Sequence, residues 1–212
     1  MNGPDASSLK LTPSEENYLK SVYSLREWDA LEVTTGALAG KLGVAPASAT
    51  TMVTKLVARG LMEHPRYGAI TLTPEGTRAA LQVVRRHRLI ETFLVEQLGY
   101  TWDQVHDEAE VLEHTVSERF IERIDALLNH PQADPHGDPI PTATGQPRLP
   151  DAVRLDRAPA TEGAVVVRIS DDDPELLRAC AESGVVPGAT LDTAQHGLPH
   201  ATMRAIWVRV ER

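Results

Sequence analysis

The sequence is poor in aromatic residues: three Trp, four Tyr and two Phe make up 4% of 212 residues. Its cores are therefore expected to be built from Leu, Val, Ile and Ala. A single cysteine, Cys180, excludes an intramolecular disulfide and a multi-thiolate metal site. It fits a reducing cytosol and reads as a small buried apolar residue. No apolar run approaches the ~18–20 residues of a membrane span, and residues 1–8 carry no apolar signal region, so the expected location is the cytoplasm. Net positive charge is missing as well. A formal charge of −9 excludes a protein that coats nucleic acid through bulk charge, yet it leaves room for a local basic face. HExxH is absent, and neither a Ser-His-Asp arrangement nor a Gly-rich phosphate loop stands out, so no enzyme is expected.

What is present is mostly helical, with small β parts. Residues 1–10 read as a disordered leader. Thr12 reads as an N-cap, with Pro13 at the first helical position and Glu15 at the capping-box position, ahead of Leu19, Val22, Tyr23 and Leu25. A second helix is predicted from 34 or 35 to 42, broken by Gly43, and a third from 45 to about 59, ended by Gly60. Segments 61–64 and 69–73 flank Arg66-Tyr67-Gly68 and read as a β-hairpin. Thr73-Pro74-Glu75 opens a long helix to 97 or 98, and further helices are predicted over 102–116 and 117–128. Prolines at 131, 135, 139, 141, 147, 150 and 159 then forbid continuous helix or sheet and mark a linker. Beyond it, strands over 163–169 and 206–210 flank a short helix over 173–183 in a small β-rich module.

Three helices followed by a hairpin make a winged helix-turn-helix, with Leu42-Gly43-Val44 as its turn. The third helix opens with small or hydroxyl-bearing residues: Ala45, Pro46, Ala47, Ser48, Ala49, Thr50 and Thr51. Such residues let a recognition helix approach the major groove closely and bond bases or phosphates. Between 35 and 70 the charged residues are Lys41, Lys55, Arg59 and Arg66 against Glu63 alone. Lys55, Arg66 and the wing-tip Tyr67 are the expected backbone contacts. From 101 to 125 eight acids face only Arg119 and Arg123. One region suits phosphates, the other suits cations.

The acidic region has register. His106, Glu110, Glu113 and His114 are spaced 4, 3 and 1, so they fall within roughly a 100° arc of one helix. His87 and Glu91 stand at i and i+4 on the preceding helix, and the proline-rich segment adds Asp134, His136 and Asp138. Carboxylates with imidazoles and no thiolate favour a hard divalent cation such as Mn²⁺ or Fe²⁺.

The stretches Glu16-Asn17-Tyr18-Leu19-Lys20-Ser21-Val22-Tyr23, Arg86-His87-Arg88-Leu89-Ile90-Glu91, Val105-His106-Asp107-Glu108-Ala109-Glu110, Glu113-His114 and His136-Gly137-Asp138-Pro139-Ile140-Pro141 resemble, in order and spacing, the DtxR family of metalloregulators. The resemblance is to its MntR-like, manganese-responsive branch, and it runs from about residue 9 to the C-terminus. It implies a winged-helix DNA-binding domain over 11–74, a helical metal-binding and dimerisation domain over 75–142, a linker over 143–160 and an SH3-like (FeoA-type) β domain over 161–212.

Carried over by residue, the resemblance places a regulatory site at Glu110, Glu113 and His114 with Asn17. Glu110 stands where iron-sensing relatives have cysteine and manganese relatives glutamate. Asn17 stands where manganese relatives have aspartate, and Lys20 where some two-manganese relatives have glutamate, which argues against their binuclear arrangement. A second site would use His87, Glu91 and His106, completed by Asp134, His136 and an acid from 171–175, with Asp173 favoured. The function implied is a homodimeric, Mn²⁺-dependent repressor of palindromic double-stranded operator DNA. The alternatives are an Fe²⁺-dependent repressor of the same family and a winged-helix regulator that uses no metal.

Overall fold

The computed structural model describes residues 10–29, 32–66, 68–146, 149–160, 163–194 and 197–210. Two compact units divide the chain between Val83 and Val84. In the first, helices α1 (Pro13–Glu27), α2 (Thr35–Leu42) and α3 (Pro46–Ala58) precede a two-stranded antiparallel wing, β1 (Met62–Glu63) and β2 (Thr71–Leu72). Helix α4 (Pro74–Leu98) carries the chain into the second unit.

Local chemistry sets these ends. Thr12 caps α1 in a full capping box with Glu15, and Pro13 opens the helix. Gly43 closes α2 at φ 62°, a left-handed position that favours glycine, and the Val44 N–H donates to Ala39 O at 3.0 Å. Thr73 Oγ1 accepts the Gly76 N–H at the start of α4. A Cβ on Gly76 would overlap the Leu61 carbonyl oxygen, so only glycine lets α4 begin against the wing. The apolar stripes of α1, α2 and α3 meet in one core of Tyr18, Leu19, Val22, Leu38, Val53 and Leu56, closed by Leu61 and Ile70 of the wing.

One acid is built into that unit. Glu15 is 1% exposed, and its Oε2 accepts from the N–H and hydroxyl of Thr12 at 2.9 and 3.1 Å. Its Oε1 faces Arg59 at 2.5 Å and Lys55 at 3.2 Å, both from α3 or its C-cap. Burial pushes this carboxyl up, but hydrogen bonds from Arg59, Thr12 and Lys55 outweigh it and hold it at about 2.

In the second unit α4 packs with α5 (Val105–Leu112) and α6 (Glu118–Leu127) around Leu89, Ile90, Leu94, Val105, Ala109, Ile121 and Ile124. A four-stranded antiparallel sheet follows, formed by β3 (Val153–Arg154), β4 (Ala164–Ile169), β5 (Thr190–Leu191) and β6 (Ile206–Val210) in the order β3-β6-β4-β5. Helices α7 (Pro174–Glu182) and α8 (His200–Met203) complete this module, whose core contains Cys180 with Leu155, Val166, Ile169, Leu177 and Val208.

Two expectations change. Helix α5 stops at Leu112 rather than 116, because Ser117 takes an extended backbone (φ −82°, ψ 154°) to cap α6 and residues 113–116 wind as turns before it. The proline-rich stretch is not a free linker. Val153 and Arg154 pair with Val208 and Trp207, and Leu155 lies in the module core, so structure begins well inside 143–160. Earlier in the stretch, Asp134 Oδ1 accepts the N–H groups of His136 and Asp138 at 2.9 and 3.0 Å and winds 134–138 into a turn. Proline forbids regular ladders, but side-chain acceptors can replace them.

Glu15 titrates low, so its stabilisation is complete above pH 4.5 and is lost as the pH falls toward 2. Glu15→Gln keeps the capping-box acceptor and removes the charge. Allowing for screening at the half-exposed Lys55, it is expected to cost about 2 kcal/mol at pH 7. The deficit should vanish near pH 2 in urea-unfolding curves; an equal deficit at both pH values would show that the ion pairs contribute nothing.

Candidate metal centre

Helix α4 sets His87 and Glu91 one turn apart on a buried face, at the i and i+4 spacing that stacks side chains. Helix α5 brings His106 beside them: its ring meets that of His87 edge-on at 5.0 Å. The 134–138 turn supplies Asp134 and His136. Asp171, between β4 and α7, supplies a further carboxylate.

Glu91 is fully buried, and among the described residues neither of its oxygens has a partner in good hydrogen-bond geometry. Oε1 lies 2.9 Å from His87 Nε2 and 3.5 Å from His106 Nδ1, while Oε2 lies 3.9 Å from His136 Nδ1. Burial pushes this carboxyl up, but His87, His106 and His136 outweigh it and hold it well below the usual carboxylate range. Burial likewise pushes His106 down, and the opposing Asp171 and Glu91 carboxylates raise it to about 11. Asp171 Oδ2 stands 3.0 Å from His106 Nδ1. Burial acts to raise the Asp171 carboxyl, and His106, His136 and Arg168 depress it well below its ordinary value. Asp134 goes the other way: burial and the nearby Asp138 and Glu91 carboxylates raise it well above its ordinary value.

His136 is wholly buried, with its Nε2 2.6 Å from the Trp102 carbonyl oxygen and its ring stacked on the Trp102 indole. A carbonyl can only accept, so Nε2 carries a proton and Nδ1 is turned toward Glu91 and Asp134, 3.9 Å from an oxygen of each. That Nδ1 has no hydrogen-bond partner. A carbonyl fixing the tautomer of a histidine whose other nitrogen faces carboxylates is the outer arrangement typical of metal-ligating imidazoles. Gly137, at φ 91°, makes the turn possible: a Cβ there would overlap the Val167 carbonyl oxygen of β4. Asp138 ties the turn down, accepting from Arg168 Nε at 2.8 Å and Arg88 at 3.2 Å, while the His136 carbonyl accepts the Ile169 N–H at 2.9 Å.

Three overlapping sets have ligand atoms all within 4.8 Å of one another: His87, Glu91, His106 and Asp171; Glu91, Asp134 and His136; and His87, Glu110 and Glu113. All are oxygen and nitrogen donors. Buried carboxylate oxygens and an imidazole nitrogen without hydrogen bonds are costly unless a cation meets them, so the residues present fit a hard divalent ion.

Of the residues proposed for a regulatory site, Glu113 is buried with Oε2 2.6 Å from His87 Nδ1, and His114 Nε2 lies 3.3 Å from Glu113 Oε1. Glu110 is part-exposed, 3.7 Å from His106 Nε2. Asn17 is half-buried on α1 in the first unit. Asp173 is not in the cluster: its Oδ1 caps α7, accepting from the Glu175 and Leu176 N–H groups. Asp171 takes the place expected of it. Sequence alone named that acidic run, but the N-cap signal of Asp173 before Pro174 was the clue that its carboxylate was already engaged. The Trp102 carbonyl left no signal, since a backbone acceptor has no residue identity. Arg88 and Asp138 lay inside the noted stretches without an assigned role.

On α3, Ala45, Pro46, Ala47, Ser48, Thr50, Thr51 and Lys55 are all exposed, while Ala49, Val53 and Leu56 face the core. Ala45 makes no side-chain cap, so the first N–H groups of α3 are met by no side chain of their cap residue. Thr50 and Thr51 donate to the Pro46 and Ala47 carbonyls, leaving their lone pairs outward. Arg66 is exposed on the wing, and Tyr67 lies outside the described residues.

Family models match the chain in three stretches: an iron dependent repressor N-terminal DNA binding domain over 10–70, an iron dependent repressor metal binding and dimerisation domain over 73–142, and a FeoA domain over 153–209. The iron-dependent repressor IdeR of Mycobacterium leprae is 33% identical over 201 residues, covering 88% of this chain and 87% of the relative. The HTH-type transcriptional regulator MntR of Oceanobacillus iheyensis is 35% identical over 119 residues, covering 56% of this chain and 80% of the relative. Among solved structures, a manganese-dependent transcriptional repressor in complex with manganese is 44% identical with a TM-score of 0.84, over 92% of this chain and 98% of that one. ScaR with bound Zn²⁺ is 33% identical with a TM-score of 0.78, also over 92% and 98%.

Gly137→Ala is expected to leave the winged helix intact and to dislodge the 134–138 turn from β4. Calorimetric titration with Mn²⁺ should then register at least a tenfold weaker response, about the loss seen when outer-shell supports of a metal site are removed. Unchanged titration would mean that Asp134 and His136 do not serve a metal.

Proposed function

The chain belongs to the iron-dependent repressor family, and we propose that within it this chain is a manganese-responsive repressor, with Mn²⁺ held by groups of α4, α5, the 134–138 turn and Asp171. It is a metal-dependent, DNA-binding transcriptional repressor and not an enzyme, with its DNA-binding domain over 10–70 and its dimerisation domain over 73–142. Among the described residues no helix is long and apolar enough to cross a membrane, and the proposed place of action is the cytoplasm, with operator DNA.

The observation that carries the metal reading is Glu91, fully buried, with both oxygens turned to imidazole nitrogens and, among the described residues, neither in good hydrogen-bond geometry. Manganese rather than a softer ion follows from donor chemistry. Every donor in the three sets is a carboxylate or imidazole, and position 110 is glutamate. The lone thiol, Cys180, is buried in the core of the C-terminal module. When bound, the ion supplies the positive charge that Glu91 and Asp171 otherwise draw from His106. The protein does the rest. Arg88 and Arg168 hold Asp138, Asp138 holds the turn, and the Trp102 carbonyl keeps His136 Nδ1 pointed inward. Fe²⁺ takes the same donors and is the second reading, favoured by the match to IdeR.

Coupling of about 1–3 kcal/mol per ion would change operator affinity roughly 5–150-fold, and linkage requires operator DNA to tighten metal binding by the same factor. Operator binding titrated anaerobically with Mn²⁺ and with Fe²⁺ tests the reading. Mn²⁺ should activate, and Glu110→Ala should abolish the response while leaving the melting curve and the dimer unchanged. Activation by Fe²⁺ alone overturns the manganese assignment, and a normally responsive Glu110→Ala removes that residue from the site.

The dimer has a ready surface. Helix α6 buries Ile121 and Ile124 and turns Phe120 and Leu127 outward, with Val111 of α5 also exposed. These exposed apolar side chains lie within the stretch matched as the dimerisation domain and are the proposed seam. Leu127→Glu is expected to convert the dimer to monomer in sedimentation at micromolar concentration and to weaken operator binding in parallel.

A further inference from the structure

The local basic excess of the DNA-binding unit is smaller than a count over 35–70 suggests, because Glu15, outside that stretch, reaches into it. Its Oε1 meets both Lys55 and Arg59. The two cations differ in freedom. Arg59 is 27% exposed, and it also donates to the Lys10 carbonyl at 3.2 Å. Lys55 is 54% exposed and shares the outward stripe of α3 with Ser48 and Thr51. One end of the Lys55 ammonium is thus held by a buried carboxylate while the other faces the side from which DNA would arrive.

We propose that Glu15 is an internal competitor for the DNA backbone: it holds Lys55 where a phosphate would draw it, and so lowers the affinity of the winged helix for DNA of any sequence. A phosphate approaching Lys55 must bring a second anion close to a fixed, buried carboxylate. Either Lys55 leaves Glu15 or the two anions repel. In both cases the protein gains less from that contact than a free lysine would yield. Sequence-independent affinity comes almost wholly from such contacts, and a repressor that is to leave DNA when its metal is withdrawn has to keep it small. Glu15 thereby serves the off state without touching a base.

Its two oxygens have separate duties, and one substitution separates them. Glu15→Gln keeps an acceptor for the Thr12 N–H in the capping box and removes the charge. Binding of full-length protein to a non-operator duplex, followed by fluorescence anisotropy in chelator over a salt series, reads the effect with no metal involved. A failure of the manganese reading therefore leaves this test untouched. Glu15→Gln should bind several-fold more tightly at low salt, with a log–log salt slope steeper by about 0.9 per protomer, the contribution of one phosphate contact. Adding Lys55→Ala should erase the gain. Equal or weaker binding with an unchanged slope, by protein that melts cooperatively, overturns the proposal. Should Glu15→Gln fail to fold, Lys55→Ala alone decides: the slope should fall by well under one phosphate per protomer, and loss of a full phosphate contact would show Lys55 free of Glu15 and overturn it.

Discussion

The second unit depends on a buried carboxylate whose charge is met by imidazoles. Glu91 sits on the long helix α4 with both oxygens out of water, in a position where an ionised group is stable only against positive charge. His87 and His106 stand on one side of it and His136 on the other. The Glu91 and Asp171 carboxylates raise His106 well above its ordinary value. The interior of the unit is thus organised around a demand for a cation, and the residues around Glu91 meet it either with a proton or with an ion.

That demand explains why the 134–138 turn is held so firmly. His136 reaches Glu91 only if the chain from 134 to 138 is fixed, and the Asp134 N–H to Asp138 carbonyl and Gly137 N–H to Asp134 carbonyl bonds, at 3.0 and 3.1 Å, close the turn on itself. Charge then ties the closed turn to the rest of the unit. Asp138 is gripped by Arg88 of α4 and by Arg168 of β4, and Arg168 in turn lies 4.5 Å from the Trp207 ring. The same Asp138 therefore joins the helices to the β-rich module and sets the depth of His136. A FeoA-type module is, on this reading, part of the metal centre's frame rather than an appendage, and Asp171 carries that role to the donors themselves.

How much of this was legible beforehand follows from the range of each interaction. Caps and registers are local, so Thr12, Gly43 and Ser117 announce helix ends, and His87 with Glu91 announces a shared face. The winged helix is a chain of such local signals. The centre is not. Asp171 and Asp173 are chemically identical, and what separates them is that Asp173 is occupied by the N-terminus of α7, a fact about direction rather than composition. The Trp102 carbonyl that orients His136 is invisible in any residue list. The pairing of Glu15 with α3 spans 44 residues, and a charge count over a window cannot see an acid that enters it from outside. Proline density misled for a related reason: it reports which hydrogen bonds are impossible, not which side chains replace them.

Charge placement ties the two units to one logic. The acidic face of α5 and the buried acids around Glu91 give the protein its negative balance, which keeps it from coating DNA and makes a cation the missing partner of the second unit. In the first unit, residues 1–83, eight acids balance eight bases, and one of those acids, Glu15, is set directly against Lys55 and Arg59. A strongly basic winged helix would hold DNA whether or not metal was present, and a metal-dependent change of roughly 5–150-fold would then be lost beneath sequence-independent affinity. Keeping that affinity low is therefore a condition for the metal to matter. An acidic body and a restrained recognition helix are two ways of satisfying it, one acting at long range and screened by salt, the other acting at 3.2 Å through a buried carboxylate that salt screens far less.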